Sequence, residues 1–419
     1  MDLSCFKAYD LRGRVPDQLN PILAEKIGRA YVEITGAKKV IVGYDIRLSS
    51  PEIADALSSG LMAAGADVFD IGLCGTEQVY FATSHYQMDG GIMVTASHNP
   101  KDHNGMKMVG PESRPISSDN GLNDIRDRVL EPFFDAAEQG KYETLEVMSA
   151  YVDHLLGYID AGSLKPMTIV CNAGNGGAGL VIDELEQHLP FDFIKVHHEA
   201  DGHFPNGVPN PILPENRSAT ADAVLQNGAA MGIAWDGDYD RCFFFDETGR
   251  FIEGYYIVGL LADQFLRKTG GGKVIHDPRL TWNTLDLVEA AGGEAIESKT
   301  GHAFIKQRMR DEDAVYGGEM SAHHYFRDFA YCDSGMIPWL LVAERLCQSG
   351  QTLSSLIDAR IEAYPASGEI NRTISDPPKV IAAIEAKYGV GAKSVSHVDG
   401  LSVEFDNWRF NLRMSNTEP

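Results

Sequence analysis

The stretch GGIMVTASHNPKDHNGMKMVG, residues 90–110, largely decides how this chain folds. Its apolar, β-prone run 92–95 predicts a short strand, which the glycine pair 90–91 would delimit at its start. The Asn-Pro pair at 99–100 predicts a turn that ends the strand. We therefore expect Ser97 to be held out, exposed, on a tight loop at the strand end, where a hydroxyl is available for chemistry.

The composition restricts the partners of the chain. Its 419 residues include 36 Lys and Arg against 60 Asp and Glu, which gives a formal net charge of −24. Such a charge argues against nucleic acid or an anionic membrane surface as partner, and it requires a local cluster of cations for any anionic substrate. No apolar run reaches the roughly 18 residues of a membrane helix. The six cysteines form no CxxC pair, and with no signal-peptide core we expect reduced thiols in a cytoplasmic protein.

Strand-like runs alternate with amphipathic helical stretches along most of the chain. Strand–loop–helix patterns begin near residues 39, 167 and 271 and predict three similar α/β domains. We assign these domains to residues 1–145, 146–247 and 248–365. The remaining segment, 366–419, is too short for another such domain and predicts a smaller α+β unit.

An aspartate triplet lies in GIAWDGDYDRCFFFD, residues 232–246. In an extended segment Asp236, Asp238 and Asp240 would face the same side, where three carboxylates repel one another unless a cation lies among them. An EF-hand is a competing interpretation, because Glu247 falls at the twelfth position. Arg241 nevertheless replaces the glycine of the sixth position, and a β run follows. Few, hard oxygen ligands favour Mg²⁺ over Ca²⁺.

A glycine-rich loop at 174–179 suggests a different function. It fits the pattern G-x-G-x-x-G, follows a predicted strand, opens a helix and is followed by Glu199 twenty residues after its last glycine. These features are typical of dinucleotide binding, so an NAD-dependent oxidoreductase is the alternative function. That interpretation explains neither the aspartate triplet nor Ser97.

Two further loops carry groups suited to a sugar phosphate. YGGEMSAHHYF, residues 316–326, places Glu319 and Ser321 two residues apart, a carboxylate and a hydroxyl that suit a vicinal diol. RFNLRMSNTEP, residues 409–419, combines Arg413 with hydroxyl side chains and backbone N–H groups in a turn, which is typical of a phosphate cradle.

Taken together and in this order, these loops resemble the α-D-phosphohexomutase family, one loop from each of its four domains. TASHNP resembles its phosphoserine loop, DGDYDR its metal loop, GEMSAHH its sugar-recognition loop and RMSNTEP its phosphate-binding loop. KAYDLRG (7–13) and KTGHAF (299–304) match further family positions. Within the family, GEMSAHHYF and HDPRLTWNT look most like the bacterial phosphomannomutase branch.

The resemblance implies roles for individual residues. Ser97 would carry a phosphoryl group, and its phosphate would bind Mg²⁺ together with Asp236, Asp238 and Asp240. Beyond Ser97, the implied catalytic residues are Arg12, Lys107 and His323. The implied substrate-binding residues are Tyr9, His98, Asn99, Arg241, Arg279, Thr300, Gly301, His302, Glu319, Ser321, Arg413, Ser415, Asn416 and Thr417.

The resemblance also implies an activity. It is the reversible conversion of mannose 6-phosphate and mannose 1-phosphate, with glucose phosphates as further substrates, through a hexose 1,6-bisphosphate that also serves as activator. The domains would surround a central cleft in a monomer or weak homodimer. A non-catalytic sugar-phosphate-binding protein is a second alternative. Two departures from the family are Ala322, where many members have glycine, and the end of the chain at Pro419, from which we expect an incomplete, C-terminally truncated last domain.

Overall fold

The computed structural model describes residues 2–414. The chain divides into two compact units, the first comprising Met1–Phe251 and Asp328–Leu353 and the second comprising Ile252–Arg327 and Ser354–Pro419. All six cysteines are buried, and no disulfide bond joins any of them. Among the described helices, none is long and apolar enough to cross a membrane.

The helices and strands are numbered in chain order. Up to residue 252 they are β1 (Leu11–Arg14), α1 (Pro21–Thr35), β2 (Lys39–Tyr44), α2 (Ser50–Ala63), β3 (Asp67–Leu73), α3 (Thr76–His85), β4 (Gly90–Val94), β5 (His103–Val109), α4 (Leu122–Arg128), β6 (Tyr142–Thr144), α5 (Met148–Leu156), β7 (Thr168–Asn172), α6 (Ala178–Glu186), β8 (Asp192–Val196), α7 (Ser218–Asn227), β9 (Met231–Trp235), β10 (Cys242–Asp246) and β11 (Phe251–Ile252). They continue with α8 (Gly254–Thr269), β12 (Lys273–His276), α9 (Trp282–Ala290), β13 (Glu294–Glu297), α10 (His302–Glu312), β14 (Tyr316–Gly318), β15 (His324–Phe326), β16 (Cys332–Asp333), α11 (Ile337–Ser349), α12 (Leu353–Ala363), α13 (Pro377–Tyr388), β17 (Ser394–Ser396), β18 (Leu401–Glu404) and β19 (Arg409–Leu412).

Three sheets repeat one arrangement of strands. The orders β3-β2-β4-β5 and β8-β7-β9-β10 occur in the first unit, and β13-β12-β14-β15 occurs in the second. In each, the first three strands pair in parallel. The last strand pairs antiparallel with its neighbour. The predicted α/β class with three similar domains is thereby confirmed, whereas the domain limits stay a prediction, because the division into two units does not test them.

The repeated arrangement places three loops at equivalent positions. Each loop joins the last parallel strand to the antiparallel strand, and the loops span 95–102 after β4, 236–241 after β9 and 319–323 after β14. We call them the serine loop, the aspartate loop and the recognition loop. Polar side chains follow a buried strand in all three, so the same topology displays each candidate site.

The glycine pair 90–91 belongs to strand β4, so the prediction that it delimits the strand is wrong. A Cβ atom at Gly90 would lie 1.8 Å from the hydroxyl oxygen of Tyr31, and one at Gly91 would lie 2.2 Å from Oγ1 of Thr83. Helices α1 and α3 therefore pack closely on this strand only because two side chains are missing there.

The last described segment is a small α+β unit, as predicted. Helix α13 begins after Asp376, whose side chain accepts a hydrogen bond from the backbone N–H of Lys379. Strands β17, β18 and β19 form an antiparallel sheet in chain order. Leu401 and Val403 of the central strand are buried.

A buried carboxyl group joins three segments of the first unit near the start of helix α3. Glu77 accepts hydrogen bonds from the backbone N–H groups of Gly335 at 2.7 Å and Met336 at 3.4 Å. It also accepts a hydrogen bond from the hydroxyl of Tyr151. Burial raises the pKa of Glu77 to about 8, although these hydrogen bonds favour its ionised form.

The raised pKa of Glu77 predicts a pH dependence of stability. The unfolded chain loses this proton near pH 4.5, whereas the folded protein keeps it to about pH 8. This group therefore lowers the free energy of unfolding as the pH rises through that window, by up to about 1.4 kcal/mol per pH unit. Glu77→Gln should lose this dependence. The urea midpoint of the variant should therefore rise relative to that of wild type as the pH increases from about 5 to 8. Exposed Glu138→Gln is the control, and parallel profiles of Glu77→Gln and wild type would contradict the assignment.

Candidate active site

Ser97 is buried, so the prediction that its hydroxyl is exposed is wrong. Only 2 % of Ser97 is accessible, and its backbone adopts a left-handed φ of 49°. The aspartate loop covers it, since a Cβ atom at Gly237 would lie 2.6 Å from the carbonyl oxygen of Ser97. A polar strand-end sequence predicts a turn but cannot reveal that a loop 140 residues away in the chain will cover that turn.

A single buried guanidinium holds the serine loop. Arg47 is 1 % exposed. Its Nη2 donates to the carbonyl oxygens of Ser97 at 2.8 Å and Asn99 at 2.6 Å. Its Nη1 donates to those of Pro100 at 2.7 Å and His103 at 2.9 Å. Four carbonyl groups of one turn are thus satisfied by a planar side chain with fixed donor directions.

The carboxylate of Asp45 connects this guanidinium to the strand end. It lies 3.4 Å from Nε of Arg47 and accepts hydrogen bonds from the hydroxyls of Ser50 at 2.6 Å and Thr95 at 2.7 Å. Thr95 Oγ1 in turn accepts from the backbone N–H of Ser97 at 2.9 Å. The backbone of Ser97 is therefore held from both its N–H and its carbonyl group.

The hydroxyl of Ser97 faces charged groups of the aspartate loop. It donates to Oδ2 of Asp236 at 2.8 Å and lies 3.4 Å from Nη2 of Arg241 and 3.1 Å from Nδ1 of His98. Burial and the Arg241 guanidinium lower the pKa of His98 to about 2. His98 is accordingly neutral, and its Nδ1 accepts a hydrogen bond from Arg241 at 2.5 Å.

The three aspartates converge. Asp236, Asp238 and Asp240 are buried, and one carboxylate oxygen of each lies within 4.8 Å of the others. The loop is not extended, however, because Tyr239 has a left-handed φ of 44°. The convergence predicted from alternation in an extended segment thus arises from a turn instead.

Cations surround this triplet. Lys107, on the buried strand β5, lies 2.7 Å from Oδ2 of Asp238 and 2.5 Å from Oδ2 of Asp240. Burial would lower the pKa of Lys107, but these two carboxylates outweigh it and raise that pKa. Asp236 accepts from Nη2 of Arg241 at 2.5 Å and from its Nε at 2.8 Å. Burial would raise the pKa of Asp238, but the Lys107 ammonium lowers it, whereas burial and the Asp238 carboxylate raise the pKa of Asp240.

The triplet has the donor set of a hard divalent cation. All three groups are carboxylates, which suit Mg²⁺ better than a soft metal ion. Oδ1 of Asp238 is buried and accepts no hydrogen bond from the described residues. A buried carboxylate oxygen without a donor is unfavourable, so a cation at this position would satisfy it. The residues present therefore fit the ion.

Arg12 lies near the same loop. Its Nε donates to Asp10 at 2.8 Å, and its Nη1 donates to Oδ1 of Asn99 at 2.7 Å. Burial would lower the pKa of Arg12, but the Asp10 carboxylate raises it. Arg12 thus stays charged, and Asn99 is oriented by it. Tyr9 is half-buried in the bend that precedes strand β1.

In the second unit, Arg279 is fixed at the end of strand β12. Its Nη2 donates to Oδ2 of Asp277 at 2.6 Å. The same carboxylate oxygen accepts from the backbone N–H of Met320 in the recognition loop at 2.8 Å. Arg409, on strand β19 of the same unit, donates to the carbonyl oxygens of Arg279 at 2.7 Å and Pro278 at 3.0 Å.

Glu319 organises the recognition loop. Its Oε1 accepts from the backbone N–H of Gly301 at 2.8 Å, and its Oε2 accepts from the hydroxyl of Tyr325 at 2.5 Å. His323 lies 3.6 Å from Oε2 of Glu319 and 3.2 Å from Oγ of Ser321. The carboxylate, the hydroxyl and the imidazole are thus brought together in one loop.

Three further predicted binding residues, Thr300, His302 and Arg413, belong to the same unit as this loop. Thr300 donates its backbone N–H to Asp399 at 3.2 Å, and the same carboxylate lies 3.9 Å from Arg413. His302 begins helix α10. Ala322 has a φ of 69°, so it adopts the left-handed conformation that glycine adopts most readily. The predictions for Ser415, Asn416 and Thr417 fall outside the described residues.

Comparison with known proteins places this geometry in a family. Models of phosphoglucomutase/phosphomannomutase alpha/beta/alpha domains I, II and III match residues 4–135, 149–249 and 253–364, respectively. The chain belongs to the phosphoglucomutase/phosphomannomutase family. The resemblance drawn from the four loops is thereby confirmed.

Individual members of the phosphoglucomutase/phosphomannomutase family resemble the chain over its whole length. A protein named "Phosphohexose mutases" from Xanthomonas campestris pv. campestris is 59% identical over 420 residues, with 100% of this chain and 94% of the relative covered. A phosphomannomutase from Escherichia coli K12 is 57% identical over 426 residues, with 100% and 93% covered. The crystal structure of a family protein from Burkholderia thailandensis has a TM-score of 0.89 and 33% identity, and covers 100% of this chain and 92% of that one.

Family membership leaves the glycine loop at 174–179 to be explained, and packing explains it. A Cβ atom at Gly174 would lie 2.3 Å from Pro209, one at Gly176 would lie 2.8 Å from the carbonyl oxygen of Gly237, and one at Gly177 would lie 2.9 Å from the ring of Tyr239. Gly176 and Gly177 allow the aspartate loop to approach, and Gly174 makes room for Pro209. The dinucleotide-binding alternative is not supported.

Sequence reasoning missed three residues that hold these loops in place. Arg47 and Asp45 lie in VGYDIR, directly after strand β2, where a polar pair at the end of a parallel strand is a usable signal. Thr76, whose hydroxyl donates to Oδ2 of Asp238 at 2.5 Å, follows a Gly at the start of helix α3 and reads as an ordinary helix start. Nothing in the sequence indicates its partner.

Proposed function

We propose that the protein is a phosphomannomutase, an isomerase that interconverts mannose 6-phosphate and mannose 1-phosphate and also accepts glucose phosphates. One observation carries the proposal. The buried hydroxyl of Ser97 lies 2.8 Å from Asp236, which is one of three converging carboxylates. Lys107 and Arg241 lie at hydrogen-bonding distance from these carboxylates. This combination suits a serine that alternately gains and loses a phosphoryl group.

The proposed reaction consists of two transfers. The oxygen of a free sugar hydroxyl attacks the phosphorus of phospho-Ser97, a bond forms between them, and the bond from phosphorus to Oγ breaks. In net terms, one proton passes from the sugar hydroxyl to Oγ of Ser97, which is then a hydroxyl that donates to Asp236. The resulting hexose 1,6-bisphosphate reverses its orientation in the site, and its other phosphoryl group is then transferred to Ser97 by the reverse step. A hexose 1,6-bisphosphate, acting as activator, would first phosphorylate the resting serine.

Asp236, Asp238 and Asp240 would hold Mg²⁺ together with the phosphate of Ser97. When bound, the ion neutralises charge on the phosphoryl group that moves. The contacts of Asp238 support this assignment, because Lys107 and Thr76 bind Oδ2, and Oδ1 accepts no hydrogen bond from residues 2–414. The protein then mainly positions the reactants and balances charge.

The cationic side chains near Ser97 have different roles in this proposal. Arg12 and Arg241 have raised pKa values, so both stay charged and bind phosphate oxygens in this proposal. Lys107 is held as an ammonium by two carboxylates and contributes positive charge in this arrangement. His323, which is only partly buried, is the remaining candidate for proton transfer among the predicted catalytic residues. Arg279 is a further phosphate ligand in the second unit.

The recognition loop would read the sugar. Glu319 and Ser321 would bind two neighbouring ring hydroxyls, and Thr300, Gly301 and His302 would complete the sugar-binding groups. The phosphate that does not react would bind Arg413 and the residues that follow it. Two phosphates per intermediate require groups that serve both orientations of the sugar. The cytoplasmic location and a monomeric or weakly dimeric state remain predictions from the sequence.

Ser97→Ala should abolish phosphoryl transfer. It removes the acceptor oxygen, and we expect the turnover of mannose 1-phosphate to fall by at least about a thousandfold. Incubation with glucose 1,6-bisphosphate should add the mass of one phosphoryl group to wild type and none to the variant. Ser84→Ala, outside the three loops, is the control. Normal turnover by Ser97→Ala would exclude the phosphoserine route, and a wild type that binds sugar phosphate without turnover would favour the non-catalytic alternative.

Asp238→Asn should weaken divalent-cation binding. The loss of one anionic ligand lowers the charge of the triplet, so we expect an affinity for Mn²⁺, measured by electron paramagnetic resonance, that is at least about tenfold lower. The kcat should fall and recover in part at high Mg²⁺. Asp201→Asn, in the same unit but outside the three loops and with a side chain that is 42 % exposed, should match wild type. Unchanged Mn²⁺ affinity and no response to a chelator in Asp238→Asn would mean that the triplet is not a metal site.

The recognition loop predicts which sugars react. Mannose and glucose share the hydroxyls at C3 and C4 that Glu319 and Ser321 would bind, and they differ at C2, for which the loop offers no dedicated partner. A site without a buried hydrogen bond to a hydroxyl discriminates weakly, whereas one with such a bond discriminates by ~10⁴ or more. We therefore expect similar kcat/KM values for mannose and glucose 1-phosphates, with mannose preferred, and a far lower value for galactose 1-phosphate. Efficient turnover of galactose 1-phosphate would show that this loop does not read C4.

A further inference from the structure

The first turn of helix α3 is hydrogen-bonded to the aspartate loop. The hydroxyl of Thr76 donates to Oδ2 of Asp238 at 2.5 Å, and the backbone N–H of Thr76 donates to the carbonyl oxygen of Asp238 at 3.2 Å. Both residues are fully buried. One residue therefore holds the side chain and the backbone of Asp238 together, although the two are 162 positions apart in the chain.

The next residue of the loop is held by the same turn of helix. The hydroxyl of Tyr239 accepts from the backbone N–H of Gly75 at 2.7 Å and is bonded to the side chain of Gln78. Its ring leaves no room for side chains at Gly75 and Gly177, where a Cβ atom would lie 2.1 Å and 2.9 Å from it. Tyr239 therefore anchors the strained turn of the loop, and Thr76 is left to orient the carboxylate.

The two donors to Asp238 leave a defined oxygen for another partner. Thr76 and Lys107 both bind Oδ2, the latter at 2.7 Å. Oδ1 is buried and accepts no hydrogen bond from the described residues. Rotation of the carboxylate would break both bonds to Oδ2, so the direction of Oδ1 is determined by Thr76 and Lys107 together. Lys107 has a second carboxylate partner in Asp240, whereas Thr76 Oγ1 donates to Asp238 alone among the described residues.

We infer that Thr76 is a positioning residue for divalent-cation binding: its hydroxyl holds the Asp238 carboxylate with Oδ1 turned away from Thr76 and Lys107 and available to the cation. The inference rests on the proposed function, which assigns the cation to the aspartate triplet. Side chains that orient a metal ligand typically change affinity by about 10- to 100-fold when they are removed. Thr76 thus couples the start of helix α3 to a loop of the next sheet.

The test compares two threonines of the same helix. Thr76→Val removes the hydroxyl with almost no change of shape. Thr83→Val is the matched control, because Thr83 is also fully buried and its hydroxyl donates to the carbonyl oxygen of Val79 at 2.7 Å within the helix. Thr76→Ser keeps the hydroxyl and is the rescue variant. Mn²⁺ affinity of the full chain is measured by electron paramagnetic resonance, and kcat is followed as a function of Mg²⁺.

We expect Thr76→Val to bind Mn²⁺ about tenfold more weakly or worse and to need correspondingly more Mg²⁺ for half-maximal kcat, while Thr83→Val and Thr76→Ser stay within about twofold of wild type. Wild-type Mn²⁺ affinity in folded Thr76→Val would overturn the inference and leave the proposed function intact. No Mn²⁺ binding by wild type, or binding that Asp238→Asn does not change, would overturn both. If Thr76→Val does not fold, Thr76→Ala replaces it with the same expected loss, and an unchanged affinity there would again overturn the inference.

Discussion

The repulsion among three buried carboxylates is the constraint on which the candidate site depends. If all three were ionised, two unit charges at the 4.8 Å that limits the separation of their oxygens would repel by about 3–4 kcal/mol at an effective dielectric constant of about 20, and this repulsion, with burial, raises the pKa of Asp240. Three such pairs would be unfavourable by an amount comparable to the stability of a typical domain. The loop therefore requires compensation, and the surrounding structure supplies it through Lys107, Arg241 and the hydroxyls of Ser97 and Thr76.

This requirement links the two sheets of the first unit. Lys107 comes from strand β5 and Thr76 from helix α3, whereas the aspartates follow strand β9. The Ser97 hydroxyl is in turn placed by the grip of Arg47 on four carbonyl oxygens of the serine loop. The contacts that compensate the charge of the triplet and those that fix the serine loop thus act together, and they place Ser97 beside the carboxylates. The same strand arrangement in the second unit presents Glu319, so one topology repeated three times displays the three candidate loops.

Much of this could be predicted from the sequence, and the reason is local. Strand ends followed by polar residues predict the three loops, because the parallel arrangement of strands brings such residues to one edge of each sheet. The alternation of aspartates predicts a charge cluster at 236–240, even though Tyr239 produces it by a left-handed turn. Resemblance to the family then relates loops that are far apart in the chain.

What could not be predicted depends on contacts between distant segments. The burial of Ser97 follows from its contact with Gly237, and the glycines at 174, 176 and 177 follow from the approach of Pro209, Gly237 and Tyr239. A single sequence shows neither contact. Thr76 is the sharpest case, because a threonine at a helix start is common and only its partner, Asp238, distinguishes it.

The central claim is that the phosphate of the product comes from the protein. A single turnover with excess enzyme tests it most directly, using protein phosphorylated by unlabelled glucose 1,6-bisphosphate and mannose 6-phosphate that carries a radiolabelled phosphoryl group. The account predicts that the mannose 1-phosphate formed is unlabelled and that the label appears on Ser97, because each phosphoryl group moves through the serine. Labelled mannose 1-phosphate with an unlabelled protein would contradict the account.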